Sequence, residues 1–217
     1  IAVPGWQQDT TMPAGAPEVG TVLILHNGSA PEIVAGLTAQ HAGATERLIG
    51  EGNEVEPGSH SRIYVIDPAA SGLKPAFRLA RSIANAIKWP ATLVVANTGT
   101  SESDPARAGA AALFLSLGHE WKSGHLIVVD VAKGETQVAE RLVRETSEPG
   151  RPTHRRYDRG LTQLRSFSPV GLPKAKALEP GAYLIIGGAG GLGSALARET
   201  RLRTVPSGID SRSAASW

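Results

Sequence analysis

The chain contains 217 residues, of which 41% are hydrophobic and 19% are charged, and its formal net charge at neutral pH is +2. This composition predicts an ordinary soluble globular protein, and so small a net charge argues against a nucleic-acid-binding surface. No apolar run approaches the roughly 20 residues that a membrane span requires, and the lack of cysteine excludes disulfides and favours a reducing compartment, the cytoplasm.

Short apolar and β-branched runs alternate with helical patterns along the chain. The runs predict strands over residues 21–26, 44–49, 62–67, 91–97 and 125–131, of which 21–26 and 91–97 are expected to be buried. Apolar residues at helical spacing predict helices that begin at Pro31 and that cover residues 74–88, 105–121 and 135–145. This alternation indicates an α/β fold of truncated Rossmann-like type, with a mostly parallel sheet flanked by helices.

Three proline positions mark helix boundaries. Asp104 precedes Pro105, which predicts an N-cap followed by proline at the first helical position. Pro31 likewise stands at the start of its helix. The helix over residues 74–88 is expected to end at Trp89-Pro90, because the residue before a proline is disfavoured in the helical region.

The remaining segments carry weaker patterns. Residues 7–19 are polar and rich in proline and glycine, which predicts an extended leading segment. Residues 154–164 are typical of an exposed, charged strand, and the basic run Arg151–Arg156 is interpreted as a solvated loop. A proline-bearing crossover is expected over residues 167–180. The histidines have no spacing typical of metal ligands, so no metal site is predicted.

A glycine-rich turn follows the apolar run 183–186 and precedes a helical pattern. Its residues are Gly187, Gly188, Ala189, Gly190, Gly191, Leu192 and Gly193. A loop between a strand and a helix is the context of the dinucleotide fingerprint G-x-G-x-x-G, whose backbone N–H groups bind pyrophosphate at a helix N-terminus. Such a loop can also serve only to pack the helix closely against the strand. Because Gly193 lies so near Trp217, we expect a nucleotide-binding domain that begins here without being completed.

Several segments resemble, in the same order, the ketoreductase region of modular type I polyketide synthases, a family of short-chain dehydrogenase/reductase type. They are the stretch around Trp6 and residues 93–99, 104–121, 125–130, 156–160 and 183–193. The resemblance implies a structural subdomain over residues 1–180 and the first strand, glycine loop and helix of a catalytic subdomain over residues 181–217. It also implies NADPH as the family's cofactor, held at Gly187, Gly188, Gly190, Gly191, Leu192 and Gly193.

The chain departs from the family pattern where catalysis and cofactor binding are concerned. Ile186 stands where the family usually has a threonine before the first glycine, and the arginine that meets the NADPH 2′-phosphate has only a poor counterpart in Arg212. The family's catalytic tyrosine is followed four residues later by asparagine, and no tyrosine of this chain is. We therefore assign no catalytic residue, and we expect the chain alone neither to reduce ketones nor to bind NADPH.

Three functions remain open on the sequence. The first is a structural pseudo-ketoreductase that scaffolds neighbouring synthase domains. The second is the N-terminal part of an NADPH-dependent β-ketoacyl reductase, completed by residues outside this chain. The third is a stand-alone nucleotide-sensing module. The resemblance implies adjacent synthase domains as partners (methyltransferase, enoylreductase, dehydratase or the remaining ketoreductase half) and an acyl carrier protein as a further one, with no nucleic acid and no membrane.

Overall fold

The computed structural model describes residues 2–9, 21–49, 60–86, 91–99 and 104–169. All of them belong to one compact unit, Ile1–Gly171. The predicted helix end at Trp89-Pro90, most of the leading segment and everything from residue 170 onward lie outside the described residues. The division into domains at residues 180 and 181 therefore stays a prediction.

Eight strands and four helices make up the described part of the chain. The strands are β1 (Ala2–Gln8), β2 (Val22–His26), β3 (Thr45–Leu48), β4 (Arg62–Ile66), β5 (Thr92–Thr98), β6 (His125–Val131), β7 (Thr153–Asp158) and β8 (Leu161–Pro169). The helices are α1 (Pro31–Gln40), α2 (Leu73–Ala86), α3 (Pro105–Glu120) and α4 (Val138–Val143). None of these helices has the length and hydropathy that crossing a bilayer requires.

All eight strands form one sheet in the order β1-β8-β7-β6-β5-β4-β2-β3. Strands β2 to β7 pair in parallel, and β8 is antiparallel to both of its neighbours, β7 and β1. The central strands consist mostly of apolar residues because both of their faces are covered, as is typical of parallel sheets. The prediction of a mostly parallel Rossmann-like sheet is thus confirmed.

Helices cover both faces of the sheet, and each face has its own core. Alternate side chains of one strand point to opposite faces, so in β5 Val94 packs with residues of α1 and α4, whereas Val95 packs with residues of α2 and α3. Tyr64 and Ile127 belong to the first core, and Phe114 of α3 belongs to the second. The result is a three-layer α/β/α arrangement.

The helix N-caps agree with the sequence signals. The Asp104 carboxylate accepts hydrogen bonds from the N–H groups of Ala106 at 2.9 Å and Arg107 at 3.3 Å, and Pro105 follows the cap. Helix α1 begins at Pro31, as predicted, although its N-cap residue, Ala30, has no side-chain oxygen to offer. The start of α3 is therefore fixed by a carboxylate that also takes part in the site described below.

The structure adds one strand that was not predicted, and two sequence expectations were wrong in detail. Strand β1 is held at the sheet edge by pairing with the distant β8, and it overlaps the predicted extended segment only at Gln7 and Gln8. The predicted single strand over residues 154–164 is a hairpin, because Arg159 and Gly160 both adopt positive φ and form a two-residue turn. Helix α4 is shorter than residues 135–145, because Gln137 has a left-handed backbone with φ 54° and stops the helix from starting earlier.

Helices α1 and α4 approach so closely that a methyl group does not fit between them. A Cβ at Gly36 would lie 2.6 Å from the Cβ of Ala139, so we expect Gly36→Ala to lower the free energy of unfolding by about 1–3 kcal/mol. The matched control is Gly109→Ala in α3, where the nearest atoms, at 3.1 Å, belong to the exposed, movable side chain of Leu73. That variant should gain up to about 1 kcal/mol from helix propensity.

Urea unfolding of both variants measures the two effects. Equal stability of Gly36→Ala and the unsubstituted chain would contradict the described packing of α1 on α4.

Candidate functional site

The cofactor residues predicted from the sequence, 187–193, lie outside the described residues, as does Ile186. Their role stays a prediction. The described sheet nevertheless contains the place where doubly wound folds hold ligands, namely the point where strand order reverses direction. From β2 the chain proceeds outward to β3, and from β4 it proceeds the other way to β5, so the reversal lies between β2 and β4. The residues at the carboxyl ends of these strands therefore form the candidate site.

Asp67 occupies the centre of this carboxyl edge. It directly follows β4, is only 1% exposed and has a left-handed backbone with φ 53°. Its carboxylate accepts hydrogen bonds from the hydroxyl groups of Thr98 at 2.5 Å and Ser29 at 2.9 Å, and from the Thr98 N–H at 3.3 Å. The side-chain amide of Asn27 donates to the Asp67 carbonyl at 2.6 Å. Asp67 thus connects the ends of β2, β4 and β5.

Arg107 neutralises this buried carboxylate. Its Nε lies 3.2 Å from Asp67 Oδ1, and its Nη1 lies 2.7 Å from Oδ2 of the N-cap residue Asp104. The pKa of Arg107 is raised, mainly by the hydrogen bonds to Asp67. The pKa of Asp104 is lowered, mainly by the backbone N–H groups of Arg107 and Ala106. The guanidinium of Arg107 is therefore paired with two carboxylates of the protein, Asp67 and Asp104.

The neighbouring N-terminus of α1 is poorly suited to an anion. A helix N-terminus binds phosphate through free N–H groups and a favourable dipole. Here Pro31 has no N–H, and the N–H groups of Ile33 and Val34 both donate to the Ala30 carbonyl at 3.2 Å. Glu32 adds a negative charge in the first turn. Among the described residues of this edge, Asp67 and Asp104 also outnumber the cation that pairs with them, Arg107. The described part of the carboxyl edge therefore presents little positive potential to a pyrophosphate.

A second polar cluster lies inside the sheet, on the face covered by α2 and α3. Asp130 of β6 accepts hydrogen bonds from the Asn97 side-chain amide at 3.0 Å and from Nε2 of His154 at 3.2 Å. The other ring nitrogen of His154, Nδ1, lies 3.2 Å from Nη1 of Arg165, which can only donate. The Trp6 ring packs edge-on against His154 at 5.1 Å between centroids.

Among the described residues, no nucleophile lies at the second nitrogen of His154. In a hydrolytic triad the aspartate orients a histidine whose second nitrogen meets a serine or cysteine. In this cluster that nitrogen meets Arg165, and Asp130, Asn97 and His154 are all buried. The arrangement therefore joins side chains of β5, β6, β7 and β8.

A third cluster anchors the strand β1 to the rest of the sheet. Arg155 of β7 pairs with Glu145 and with Asp9, whose Oδ2 is 3.4 Å from Arg155 Nη2. The Tyr157 hydroxyl donates to Glu145 Oε1 at 2.5 Å. Burial raises the pKa of Glu145 despite its cationic partner. The interpretation of residues 151–156 as a solvated loop was therefore wrong, because Arg155 is buried between two carboxylates that are remote in sequence.

Each histidine with a described side-chain partner bonds a different group. The pairs are His26 with Glu46 at 3.0 Å, His41 with the Tyr64 hydroxyl at 2.9 Å, His125 with the Ser147 carbonyl at 2.5 Å and His154 with Asp130. Within the described ranges, no group of three or more histidine or acidic side chains could hold a metal ion.

Sequence reasoning found only part of these clusters. It identified Asp104 as an N-cap, and it treated Asp67 merely as the start of a turn. The signal that was present is an aspartate directly after a buried strand, beside a strand that ends in Asn97-Thr98. Polar residues after neighbouring parallel strands meet at one edge of the sheet, so their proximity follows from the topology once strand order is known.

The fold of this chain is similar to that of a solved structure of known function. No protein-family model and no curated protein matches the chain. Among solved structures, the chain is similar to the ketoreductase from the first module of phoslactomycin biosynthesis in Streptomyces sp. HK803, with 18% sequence identity and a TM-score of 0.49. The match covers 92% of this chain and 45% of the other. The chain thus spans less than half the length of that ketoreductase.

Tyr157 makes the stability of the third cluster sensitive to alkaline pH. Its pKa is raised well above 10, chiefly by burial and then by the nearby Glu145. Above about pH 10 the unfolded chain ionises this phenol while the folded chain keeps it protonated, so stability falls as pH rises, by about 1.4 kcal/mol per pH unit. Tyr157→Phe should remove this contribution to the alkaline loss of stability. At neutral pH it should lower the free energy of unfolding by about 1 kcal/mol, because the hydrogen bond to Glu145 is lost.

Urea unfolding between neutral and alkaline pH measures both quantities. An unchanged alkaline slope in Tyr157→Phe would show that another group is responsible.

Proposed function

We propose that the chain is the structural, ketoreductase-type region of a modular type I polyketide synthase, and that it scaffolds neighbouring domains without reducing ketones itself. The ordered motifs of the sequence suggest the family. The observation that supports the structural role is the carboxyl edge of the sheet. There the Asp67 carboxylate accepts hydrogen bonds from the side chains of Thr98, Ser29 and Arg107.

The chemistry of this edge argues for a scaffold. A dinucleotide site needs N–H donors and positive potential at the point of strand reversal. In this sheet the donors of that region point at Asp67, the α1 terminus begins with proline, and carboxylates prevail. The interactions that would bind a cofactor in an open crevice instead hold three strand ends together, which stabilises the sheet as a rigid support for other domains.

A second candidate function rests on the glycine-rich turn. Gly188, Gly190 and Gly193 fit the dinucleotide fingerprint and follow an apolar run. In that case the chain is the N-terminal part of an NADPH-dependent β-ketoacyl reductase. The cofactor is then held by residues 187–193 together with residues outside this chain, which also supply the catalytic tyrosine.

Calorimetric titration of the folded chain with NADPH separates the two candidates. The scaffold proposal predicts no detectable heat, because the described edge offers no anion site. Binding in the micromolar range that is lost in Gly190→Asp, which puts a carboxylate in the phosphate loop, would overturn that proposal and favour the reductase. The control is Gly5→Ala, since a Cβ there would meet nothing within 4 Å. Circular dichroism verifies that each variant is folded.

A further inference from the structure

The outward face of α2 carries three basic side chains and no acidic one. Lys74, Arg78 and Arg81 are all exposed and recur at helical spacing along this face. None of the three has an ion pair or hydrogen-bond partner among the described residues. Helix α2 itself contains no acidic residue. Three unneutralised cations therefore form a row, which we call the basic row, about 10 Å long at 1.5 Å per residue.

Two large apolar side chains flank the basic row. Phe77 is 54% exposed and Leu73 is 46% exposed, and they lie one helical turn apart on the same face. Leu73 extends over Gly109 of α3, where a Cβ would lie 3.1 Å from it. An aromatic residue beside arginines is the composition that protein–protein interfaces favour in their central, energetically important contacts. This surface therefore places two exposed apolar side chains, Phe77 and Leu73, beside the positive charges of the basic row.

The neighbouring helix does not neutralise the basic row. The acids at the two ends of α3 are Asp104, which is bonded to Arg107, and Glu120 at the opposite end. Among the described residues, no acid of α3 pairs with the row, so its charge is available to a partner. Protein interfaces are arranged so that positive and negative potentials face each other, which orients the partner and speeds its association.

We infer that the basic row and Phe77 together dock an acidic α-helix of a partner protein. The row covers two turns of α2, and carboxylates spaced at i, i+4 and i+7 on an opposing helix match that length. An apolar residue beside those carboxylates contacts Phe77 and Leu73. A lipid surface fits less well, because an interfacial helix buries a broad apolar face, whereas the apolar face of α2 is already packed on the sheet.

This inference deepens the proposed scaffold role and rests on it only for the expectation of a partner protein. The NADPH titration does not involve α2, so the two proposals can fail independently.

Fluorescence anisotropy of a labelled helical peptide tests the inference on the full chain. The probe is an amphipathic peptide of about 20 residues, long enough to be helical, with three glutamates at i, i+4 and i+7 beside a leucine row. A second peptide carries glutamine in place of each glutamate. We expect saturable binding of the first peptide, weakened by salt, and at least about tenfold weaker binding of the second, the sum of several small ion-pair contributions.

Matched variants locate the binding on α2. Lys74→Gln/Arg78→Gln/Arg81→Gln should weaken binding about tenfold, and Phe77→Ser should weaken it while leaving its salt dependence unchanged. The control Lys122→Gln/Lys133→Gln/Arg159→Gln removes the same charge from exposed sites elsewhere and should bind as the unsubstituted chain does. All these positions are exposed, so the variants should keep the fold, as circular dichroism would verify.

Three results would overturn the inference. They are equal binding of the two peptides, equal loss in the control variant, and binding of the chain to phosphatidylserine vesicles in place of the acidic peptide. The last result would assign the row to an anionic lipid surface.

Discussion

A buried aspartate at the point of strand reversal is the constraint on which the rest of the sheet depends. Asp67 has a left-handed backbone and is almost fully buried, and such a residue persists only where its surroundings compensate the cost. The compensation comes from Ser29, Thr98 and Arg107, each on a different segment of the chain. The turn after β2, the end of β5 and the first turn of α3 are consequently fixed to one carboxylate.

In a doubly wound sheet the carboxyl edge usually binds the ligand as well as joining the strand ends. In this sheet the hydrogen bonds and the ion pair to Asp67 use that edge only to join the strand ends. The same edge that binds a cofactor in other folds is used here for cohesion, while the outer surface of α2 carries the unbalanced charge. The net charge of +2 conceals this distribution, because three cations of one helix face are uncompensated while Arg107 and Arg155 are paired inside the protein. A cohesive sheet with a charged outer helix is what the proposed scaffold role requires.

The sequence predicts the central strands well and the edges poorly, and the reason is physical. Strands β2, β4, β5 and β6 are covered on both faces, so each contains an uninterrupted run of four apolar residues. Strand β1 contains Pro4 and Gly5 and exists because it pairs with β8, a partner far along the chain. Arg155 has the composition of a solvated residue, and only the fold brings Asp9 and Glu145 to it. The N-cap at Asp104 was predictable because its signal is local.

A double-mutant cycle on Asp67 and Arg107 tests the central claim most directly. Asn tolerates the left-handed backbone, so Asp67→Asn removes the charge with little backbone strain, and Arg107→Gln removes its partner. If the ion pair between Asp67 and Arg107 holds the carboxyl edge of the sheet together, urea unfolding should give a coupling energy of about 1–3 kcal/mol between the two positions. Additive effects, within roughly 0.5 kcal/mol, would contradict the claim and return this edge to consideration as an open binding site.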